Sequence, residues 1–356
     1  MKKLGCGMFL VLCFLSLALI IALLVDNLLV NDNETTHTQV NFIEAEKTLY
    51  EAKLEDKEKS ILLQEDGLHK LIGLPVNEII NIYGEPSRID VSAYDYEWWI
   101  YPSSESYIQI GVDEGYVVTV YFIGSELLIA PFYIGQSYEE IMNEIGFPQQ
   151  VSFNVKGNSY QFNLTEEELE TRPLLFADHV FIQLYFDTFT KKLSGIRYLN
   201  GETLIKHRPY SVVYRGELIE AKPLSADQWR DIEYGASLQI LAITNEIRKR
   251  HDLNKLEWDE ETSIVAFHHS EDMSINEYFS HTSPSEGELK DRLKKQGVLY
   301  QLAGENIAAK YVDSIAVVEG WLNSEGHRVN LLHEEFTHLG VGVYERYYTQ
   351  NFITPW

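Results

Sequence analysis

The chain has 356 residues, which is long enough for two domains because roughly 100–200 residues per domain is usual. Its composition is 45% hydrophobic and 12% aromatic, which excludes an intrinsically disordered chain. The formal net charge of −25 argues against a nucleic-acid partner, since phosphate binding relies on lysine and arginine, and against docking of the folded part on anionic lipid.

The N-terminus has the pattern of a membrane anchor. Lys2 and Lys3 precede an uncharged run from Leu4 to Val25, and Asp26 follows it. At about 1.5 Å per helical residue this run extends roughly 33 Å, enough to cross the hydrocarbon core of a bilayer. Its exit has no small-residue cleavage site, so we predict an uncleaved single-pass anchor over residues 1–31. The two lysines would then lie in the cytoplasm and the remainder of the chain outside the cell membrane.

Both cysteines of the chain, Cys6 and Cys13, lie inside this apolar run. The exported part therefore has neither a thiol nor a disulfide, although an oxidising compartment would permit disulfides. A cysteine nucleophile and a cysteine-ligated zinc site are thus excluded outside the membrane.

A stalk and then an internal repeat follow the anchor. Residues 32–64 have the charged composition of a stalk or linker, with helical character from about 42 to 63. Beyond them, the stretch from Ile72, IGLPVNEIINIYGEPSR, resembles the stretch from Ile134, IGQSYEEIMNEIGFPQQ. Each copy predicts a short amphipathic helix ended by Gly-x-Pro, because glycine accepts the left-handed cap and proline cannot continue the helix.

Strand-like runs follow each copy of the repeat. They are 96–101, 107–112 and 116–124 after the first copy, and 159–164, 181–186 and 193–199 after the second. Alternation and many β-branched or aromatic residues predict strands in these runs. We therefore expect residues 65–205 to form a duplicated α+β domain, with one helix on a small antiparallel sheet in each half and an insertion at 165–179. Its aromatic side chains suit either sheet packing or a binding groove.

The last part of the chain predicts a second α+β domain over residues 234–356, after a linker at 206–233. Apolar spacing indicates a helix in LQILAITNEIRKRH. We predict a second helix in TSIVAFHHSEDMSINEYFSH and a third in SIAVVEGWLNS, ended by Gly326. The final stretch, HLGVGVYERYYTQNFITPW, alternates as two strands would. The expected fold class of the whole exported part is α+β.

More than half of the eleven histidines of the chain fall between positions 268 and 338. No pair of them has the HExxH spacing that places two metal ligands on one helix face. Spacing alone is therefore a weak indication of a metal site.

Four motifs in this domain carry a resemblance to a known family. They are FHHSEDMSINEYFSHTSP, AGENIA, VEGWLNSEGHRVNLL and FTHLGVGV, in this order. Together they resemble the CAP superfamily (SCP domains of cysteine-rich secretory and pathogenesis-related proteins), in its bacterial branch, over about residues 236–356. The repeat domain is similar to the CAP-associated N-terminal domain of membrane-anchored bacterial proteins. The resemblance implies an α-β-α sandwich with a cavity that faces solvent.

The resemblance also implies a set of cavity residues. In family members two histidines and two glutamates line the cavity and can hold a divalent cation. By motif, the first histidine is His281 in SHTSP, the first glutamate is Glu305 in GEN, and the second histidine is His338 in FTHLGVGV. Ser324 stands where eukaryotic relatives have the second glutamate.

A divalent cation, Zn²⁺ before others, is the cofactor that this set implies. Two imidazoles and one carboxylate, from His281, Glu305 and His338, suit Zn²⁺ and leave positions open for water or substrate. The missing carboxylate at Ser324 should weaken binding, since a serine hydroxyl is a poor ligand. Glu305 has an alternative interpretation, in which it supports a turn at Gly304–Asn306 through backbone hydrogen bonds.

The other motif residues are expected to shape the structure around the cavity: His269, Trp321, Gly326, His327, Arg328 and Asn330. His327, after Gly326, should cap a helix C-terminus, where a donor meets free carbonyls. Ser324 and His327 are three residues apart and could touch on a helix. A serine hydrolase also needs an exposed elbow, a residue that orients the base and an oxyanion hole, and no motif indicates them.

Three functions fit this pattern. The first hypothesis is a non-enzymatic extracytoplasmic binding module, tethered to the membrane, whose cavity recognises an unidentified envelope ligand, lipid or peptide. The alternative is a metal-dependent hydrolase acting on peptide or cell-wall material, with Glu305 as the base. The third makes the repeat domain an interaction platform for another envelope protein. The absence of a carboxylate at Ser324 favours the first over the second.

Overall fold

The computed structural model describes residues 61, 63–124 and 129–356, and Ile61–Trp356 belong to one contact unit. The predicted anchor at 1–31, both cysteines and nearly all of the predicted stalk at 32–64 lie outside the described residues. Within the described part, no helix combines the length and the apolar character that crossing a membrane requires.

The repeat domain alternates short helices with antiparallel strands. After a 3-10 helix at Leu68–Leu71 its elements are α1 (Val76–Tyr83), β1 (Arg88–Val91), β2 (Glu97–Pro102), β3 (Ser106–Asp113), β4 (Tyr116–Gly124), α2 (Tyr138–Glu144), β5 (Gln150–Val155), β6 (Asn158–Asn163), α3 (Glu166–Thr171), β7 (Leu174–Ala177), β8 (Val180–Asp187), β9 (Lys192–Leu199), α4 (Gly201–His207) and β10 (Ser211–Arg215). Every predicted strand run coincides with an observed strand to within one residue at each end.

The strands of the two halves form one shared sheet, whereas a small sheet in each half was expected. A seven-stranded sheet has the order β1-β2-β3-β4-β9-β8-β7, and a separate three-stranded sheet has the order β10-β6-β5. The halves join where β4 pairs antiparallel with β9, with Thr119 opposite Leu199. This pairing satisfies two strand edges whose backbone groups would otherwise be open.

The two repeat copies begin with equivalent hydrogen bonds to the sheet. The amide of Gly73 donates to the carbonyl of Val117 at 2.8 Å, and the amide of Gly135 donates to the carbonyl of Leu193 at 2.8 Å. Both glycines have positive φ, 87° and 90°, a backbone conformation that other residues adopt only at a cost. The Ile-Gly pair shared by the two copies thus connects each copy to the sheet through a glycine in the same backbone conformation.

The second domain contains the remaining elements. They are α5 (Ala226–Arg250), β11 (Glu257–Trp258), α6 (Glu260–Ile275), α7 (Leu289–Gln296), β12 (Tyr300–Ala309), α8 (Ser314–Leu322), α9 (Glu325–Leu331), β13 (His338–Tyr344) and β14 (Tyr347–Pro355). Helix α5 begins inside the predicted linker at 206–233. A capping box between Ser225 and Gln228 starts it there, and Gln239 donates to Asp90 of the repeat domain at 2.9 Å.

Helices cover both faces of the sheet β11-β13-β14-β12. A Cβ atom added to Gly342 would lie 1.9 Å from the backbone nitrogen of Phe267, so α6 contacts this face of β13 directly. Val341 and Val343 point the other way, into a core shared with Ile243 of α5 and with α8. This is the α-β-α sandwich that the motifs implied.

Replacement of Gly342 by alanine is expected to lower the free energy of unfolding by about 1–3 kcal/mol, because the added methyl group forces the α6 backbone to move. Urea denaturation measures this. Gly326→Ala is the control, since a Cβ atom there meets nothing within 4 Å. An equal loss of stability in the two variants would contradict the close contact between β13 and α6.

Aromatic side chains of the repeat domain pack in the core between the two domains. Tyr96, Trp98, Tyr121 and Tyr185 belong to the same buried cluster as Trp321 of α8. Each is at most 3% exposed. Of the two roles expected for these aromatic residues, the structure shows packing, and the packing joins the domains.

Candidate functional site

The segment SEGHRVNLL begins a new helix. Helix α8 ends at Leu322, and Ser324, with extended backbone, is the N-cap residue of α9. The prediction that Gly326 and His327 end α8 was therefore wrong, because both lie in the first turn of α9. Serine is a favoured N-cap residue and an acidic residue suits the first turn, which Glu325 supplies.

The motif AGENIA lies in strand β12, where a turn was one expectation. Glu305 pairs with Asn351 of β14, and its side chain is 4% exposed. Asn330 of α9 donates to the backbone carbonyl of Glu305 and to the side-chain oxygen of Asn306, both at 3.0 Å. Asn330 thus braces β12, while the Glu305 carboxylate is directed to other partners.

Three side chains surround the Glu305 carboxylate. The Nδ1 atom of His281 lies 2.9 Å from Oε1. One terminal nitrogen of Arg292 lies 3.0 Å from Oε1 and 2.9 Å from Oε2. The Nε2 atom of His269 lies 3.9 Å from Oε1 and donates to the carbonyl of Ser280 at 3.0 Å. The carboxylate is therefore bound by a guanidinium and an imidazole.

The electrostatics keep Glu305 ionised and His269 neutral. Burial raises the pKa of Glu305, but the hydrogen bond from His281 and the charge of Arg292 outweigh it, and the net pKa is lowered. Burial lowers the pKa of His269 to about 4, against the opposing effect of Glu305. At neutral pH the cluster thus contains an ionised carboxylate beside an uncharged buried imidazole.

The structure brings His327 towards this group. Burial and the nearby charge of His281 both lower the pKa of His327. The Nδ1 atom of His327 lies 2.8 Å from the Ser324 hydroxyl oxygen. The contact expected between Ser324 and His327 is thus present, at the start of α9.

His338, predicted as the second cavity histidine, has other neighbours. It is the first residue of β13, with Nδ1 2.8 Å from the Thr337 hydroxyl oxygen and Nε2 3.6 Å from a Glu257 carboxylate oxygen. Among the hydrogen bonds and ion pairs of the described residues, none joins His338 to His281 or Glu305.

The geometry does not fit a divalent cation on the predicted ligands. Within the described ranges, no group of three or more His, Cys, Asp or Glu side chains is arranged to hold a metal ion. At Glu305, the Arg292 guanidinium already supplies the positive charge that a metal ion would bring to the carboxylate.

Arg292 was missed by the sequence analysis. It lies on α7, in the segment LKDRLKKQ, and is 6% exposed. Lysines and an aspartate surround it in the sequence, so nothing in the local composition distinguishes it from a solvated arginine. The one local signal in this segment is Gly297, a residue type that commonly ends a helix, and it could have predicted the short helix that carries Arg292.

The repeat domain holds the loop that carries Ser324. Arg328 forms a bidentate ion pair with Asp187 at the end of β8, at 2.9 and 3.0 Å. The amide of Thr188 donates to the side-chain oxygen of Asn323 at 2.7 Å. Arg328 therefore fixes the start of α9 by binding the other domain. Trp321 is 1% exposed and packs in the core, as predicted.

A cavity of about 470 Å³ adjoins the Glu305 cluster. Its walls come from α6, α7 and the connection between them, and include His268, His269, Asp272, Glu286, Arg292 and Lys295. His269 and Arg292 contact Glu305 and also line the cavity, so the cluster adjoins the cavity through these two side chains, while Glu305 and His281 are not among its lining residues.

Comparisons with known proteins agree with the two-domain fold. The model of the CAP-associated N-terminal family matches residues 72–210, and that of the cysteine-rich secretory protein family (CAP) matches residues 241–354. The uncharacterized membrane protein YlbC of Bacillus subtilis (strain 168) is 50% identical over 299 residues, which cover 84% of this chain and 86% of YlbC. The chain belongs to the CAP family. The resemblance predicted from the four motifs and the repeat is thereby confirmed.

Solved structures of CAP proteins share the architecture. An extracellular protein containing a SCP domain from Bacillus anthracis str. Ames has a TM-score of 0.78 and 46% identity, covering 84% of this chain and 99% of its own. A cysteine-rich secretory protein from Staphylococcus aureus subsp. aureus Mu50 has a TM-score of 0.75 at 24% identity, covering 83% and 95%, and shows the fold alone. The protein is therefore a CAP protein of the extracellular type.

Proposed function

We propose that this CAP protein is a non-catalytic binding module that recognises an envelope ligand at the surface around His281. The observation that carries the proposal is the state of Glu305. Its carboxylate contacts Arg292 and His281 and has a lowered pKa. A carboxylate held ionised by two donors is a poor general base, because its proton affinity is reduced.

The exposed side of the cluster suits recognition. The His281 side chain is 57% exposed, while the Glu305 carboxylate that orients it is 4% exposed. An imidazole fixed at Nδ1 by a buried partner presents its Nε2 atom to solvent in a defined direction. Such an arrangement favours hydrogen bonding to a ligand at low conformational cost.

The adjoining cavity favours a peptide over a lipid as the ligand. Its volume of about 470 Å³ is within the range of small-ligand sites, roughly 300–1,000 Å³. Charged side chains of both signs line it, among them Asp272, Glu286 and Lys295. These would have to be desolvated against an acyl chain without new partners, whereas a peptide offers hydrogen-bonding groups to them.

The hydrolase alternative has less support. Its proposed base, Glu305, is bound to Arg292, and a metal-activated water requires ligands that the described residues do not bring together. The platform alternative also has less support. Tyr96, Trp98 and Tyr121 of the repeat domain are buried against the CAP domain, so these aromatic side chains are not exposed to bind another protein.

We also infer that the chain is attached to the cell membrane by its N-terminal run and that the repeat domain arose by duplication. The flanking lysines and the length of the run from Leu4 to Val25 support the first inference, together with the naming of YlbC as a membrane protein. The matching hydrogen bonds of Gly73 and Gly135 support the second.

Capture on purified peptidoglycan tests the binding function. We expect His281→Ala in the full chain to weaken co-sedimentation about five- to ten-fold, as loss of one hydrogen bond implies. No soluble fragments should be released in the same incubation. His338→Ala is the matched control and should leave capture unchanged. Unchanged capture by His281→Ala would contradict the proposal, and fragment release abolished by Glu305→Gln would establish the hydrolase in its place.

A further inference from the structure

A second cavity of about 320 Å³ lies between the repeat domain and the CAP domain. Its lining includes Arg172, Arg197 and Arg208 of the repeat domain and Lys310 of the CAP domain, which together define the cationic cleft. Glu167 is the carboxylate among the described lining residues. A cluster of cations is unexpected in a chain with a formal net charge of −25. It is independent of the Glu305 site and of the function proposed there.

One wall of the cationic cleft comes from the insertion that distinguishes the second repeat copy from the first. Residues 165–179 form α3 and β7, and Arg172 is the C-cap residue of α3. The Arg172 guanidinium lies 5.6 Å above the Tyr210 ring and donates to a Glu168 carboxylate oxygen at 2.9 Å. Its Nε atom is buried and has no hydrogen-bond partner in the described structure. A buried unpaired donor is unfavourable unless a ligand or water satisfies it.

The opposite wall comes from the CAP domain, directly after β12. Burial raises the pKa of Tyr311, and the charges of Arg172 and Glu167 act on it from across the cleft. Lys310 precedes it with positive φ, 67°, and its amide donates to the Arg346 carbonyl at 2.8 Å. The Lys310 side chain is exposed and forms no ion pair with any described residue.

The four cations differ in how far they are neutralised. Arg197 is 1% exposed and bound to Asp313 at 2.7 Å, so it belongs to the fixed wall. Arg208 pairs with Glu220 at 2.9 Å, but the two side chains are 37% and 64% exposed, and such a pair is weak enough to exchange for a ligand. Arg172 is paired with Glu168 through a terminal nitrogen, but its Nε atom has no partner in the described structure. Arg172, Arg208 and Lys310 therefore each keep a donor for a bound anion.

We propose that the cationic cleft binds a phosphate group, with Arg172, Arg208 and Lys310 as its donors. The three cations come from three separate elements, α3, the end of α4 and the segment after β12. Donors that converge from different directions match the several oxygens of a tetrahedral phosphate better than the two oxygens of a planar carboxylate. The volume admits a small phosphorylated molecule. Because both domains supply donors, a bound phosphate holds them together.

Calorimetric titration of the full chain in neutral detergent, with inorganic phosphate and with glycerol 3-phosphate, tests the proposal. We expect saturable binding that Lys310→Gln weakens about ten-fold, which is typical for loss of one charge-assisted hydrogen bond. Glu167→Gln should strengthen binding, because it removes the carboxylate from the lining. Lys255→Gln is the matched control, an exposed lysine of the same domain that lies outside the cleft, and should bind as the wild type does.

The two probes distinguish the sources of phosphate. Tighter binding of glycerol 3-phosphate identifies an esterified phosphate, from a lipid headgroup or polymer, and tighter binding of inorganic phosphate identifies the free ion. Absence of saturable binding to either probe would overturn the proposal. Equal weakening of phosphate binding by Lys310→Gln and Lys255→Gln would also overturn the proposal, provided that thermal denaturation shows both variants to be folded.

Discussion

Replacement of Arg292 by methionine is expected to lower the free energy of unfolding at pH 7 by about 3–5 kcal/mol, the usual cost of leaving one member of a buried ion pair without its partner. The Glu305 carboxylate is 4% exposed and would lose the one permanently charged group that contacts it among the described residues. Methionine fills most of the volume of the arginine stem, so the loss reports on charge more than on packing. Urea denaturation of the variant and the wild type measures the difference.

The double variant Arg292→Met with Glu305→Gln separates the charge effect from any packing effect. A neutral amide needs no counter-charge, so most of the lost stability should return. The pH dependence gives a second check. In the wild type, the lowered pKa of Glu305 contributes stability that is present above its unfolded pKa and is lost as pH falls through the folded pKa. In Arg292→Met the hydrogen bond from His281 remains, but the charge of Arg292 no longer opposes the effect of burial on the pKa of Glu305, so the stability penalty should shrink as pH falls. An undiminished penalty at pH 4–5, with no recovery in the double variant, would contradict the role assigned to Arg292.

Local patterns in the sequence were sufficient to predict most elements. The strands of the repeat domain coincide with their predicted ranges because alternation and enrichment in β-branched and aromatic residues are typical of strands, although β3, β4, β8 and β9 are buried on both faces. The glycines of HLGVGV, for which the sequence analysis predicted no role, lie where a helix contacts the sheet backbone. The motif also located His281 and Glu305, which the structure brings within 2.9 Å of each other.

Contacts between residues that are distant in the sequence could not be predicted from local patterns. Arg292 reaches Glu305 because α7 lies beside β12, and no periodicity in the sequence encodes that neighbour. His338 was predicted as the second cavity histidine and His327 as a helix cap, yet the path of the chain through α9 brings His327 towards His281. His338 contacts Thr337 and Glu257 instead, which is why its replacement by alanine is expected to leave ligand capture unchanged.

The start of α9 was misjudged for a related reason. A glycine followed by a histidine and an arginine is typical of a helix C-terminus. Here Asn323 and Ser324 interrupt the helix first, and the interruption is stabilised from the other domain by Thr188 and Asp187. The residues around the candidate site therefore depend on contacts that only the complete two-domain structure provides.

The stability of the protein is expected to contain a component that falls as pH rises from about 4.5 to about 7, and Glu319 is its source. Glu319 lies on α8 at the contact between the domains and is 3% exposed. The Tyr121 and Ser194 hydroxyls donate to Oε1 at 3.2 and 3.1 Å, and Oε2 has no hydrogen-bond partner in the described structure. Burial raises the pKa of Glu319 to about 7, although Arg250 and the two donors oppose it.

The sign of the effect follows from proton binding. Between the unfolded pKa near 4.5 and the folded pKa of about 7, the folded protein retains the Glu319 proton while the unfolded chain loses it. Stability therefore decreases with rising pH, by at most about 1.4 kcal/mol per pH unit and about 3 kcal/mol in total. Buried histidines with lowered pKa values, such as His269, change stability in the opposite direction over part of this range. The two contributions overlap in the wild-type profile.

Urea denaturation of wild type and Glu319→Gln at pH 5, 6, 7 and 8 isolates the Glu319 component, because the histidine contributions are common to the two proteins. The variant should be about as stable as the wild type at pH 5 and more stable at pH 8, where the wild type must bury an ionised carboxylate. Glu325→Gln, at an exposed position of α9, should reproduce the wild-type profile. Parallel profiles for wild type and Glu319→Gln would show that Glu319 keeps an ordinary pKa in the interface. If the stability profiles of wild type and Glu319→Gln diverge as pH rises, protonation of Glu319 stabilises the contact between the domains at low pH.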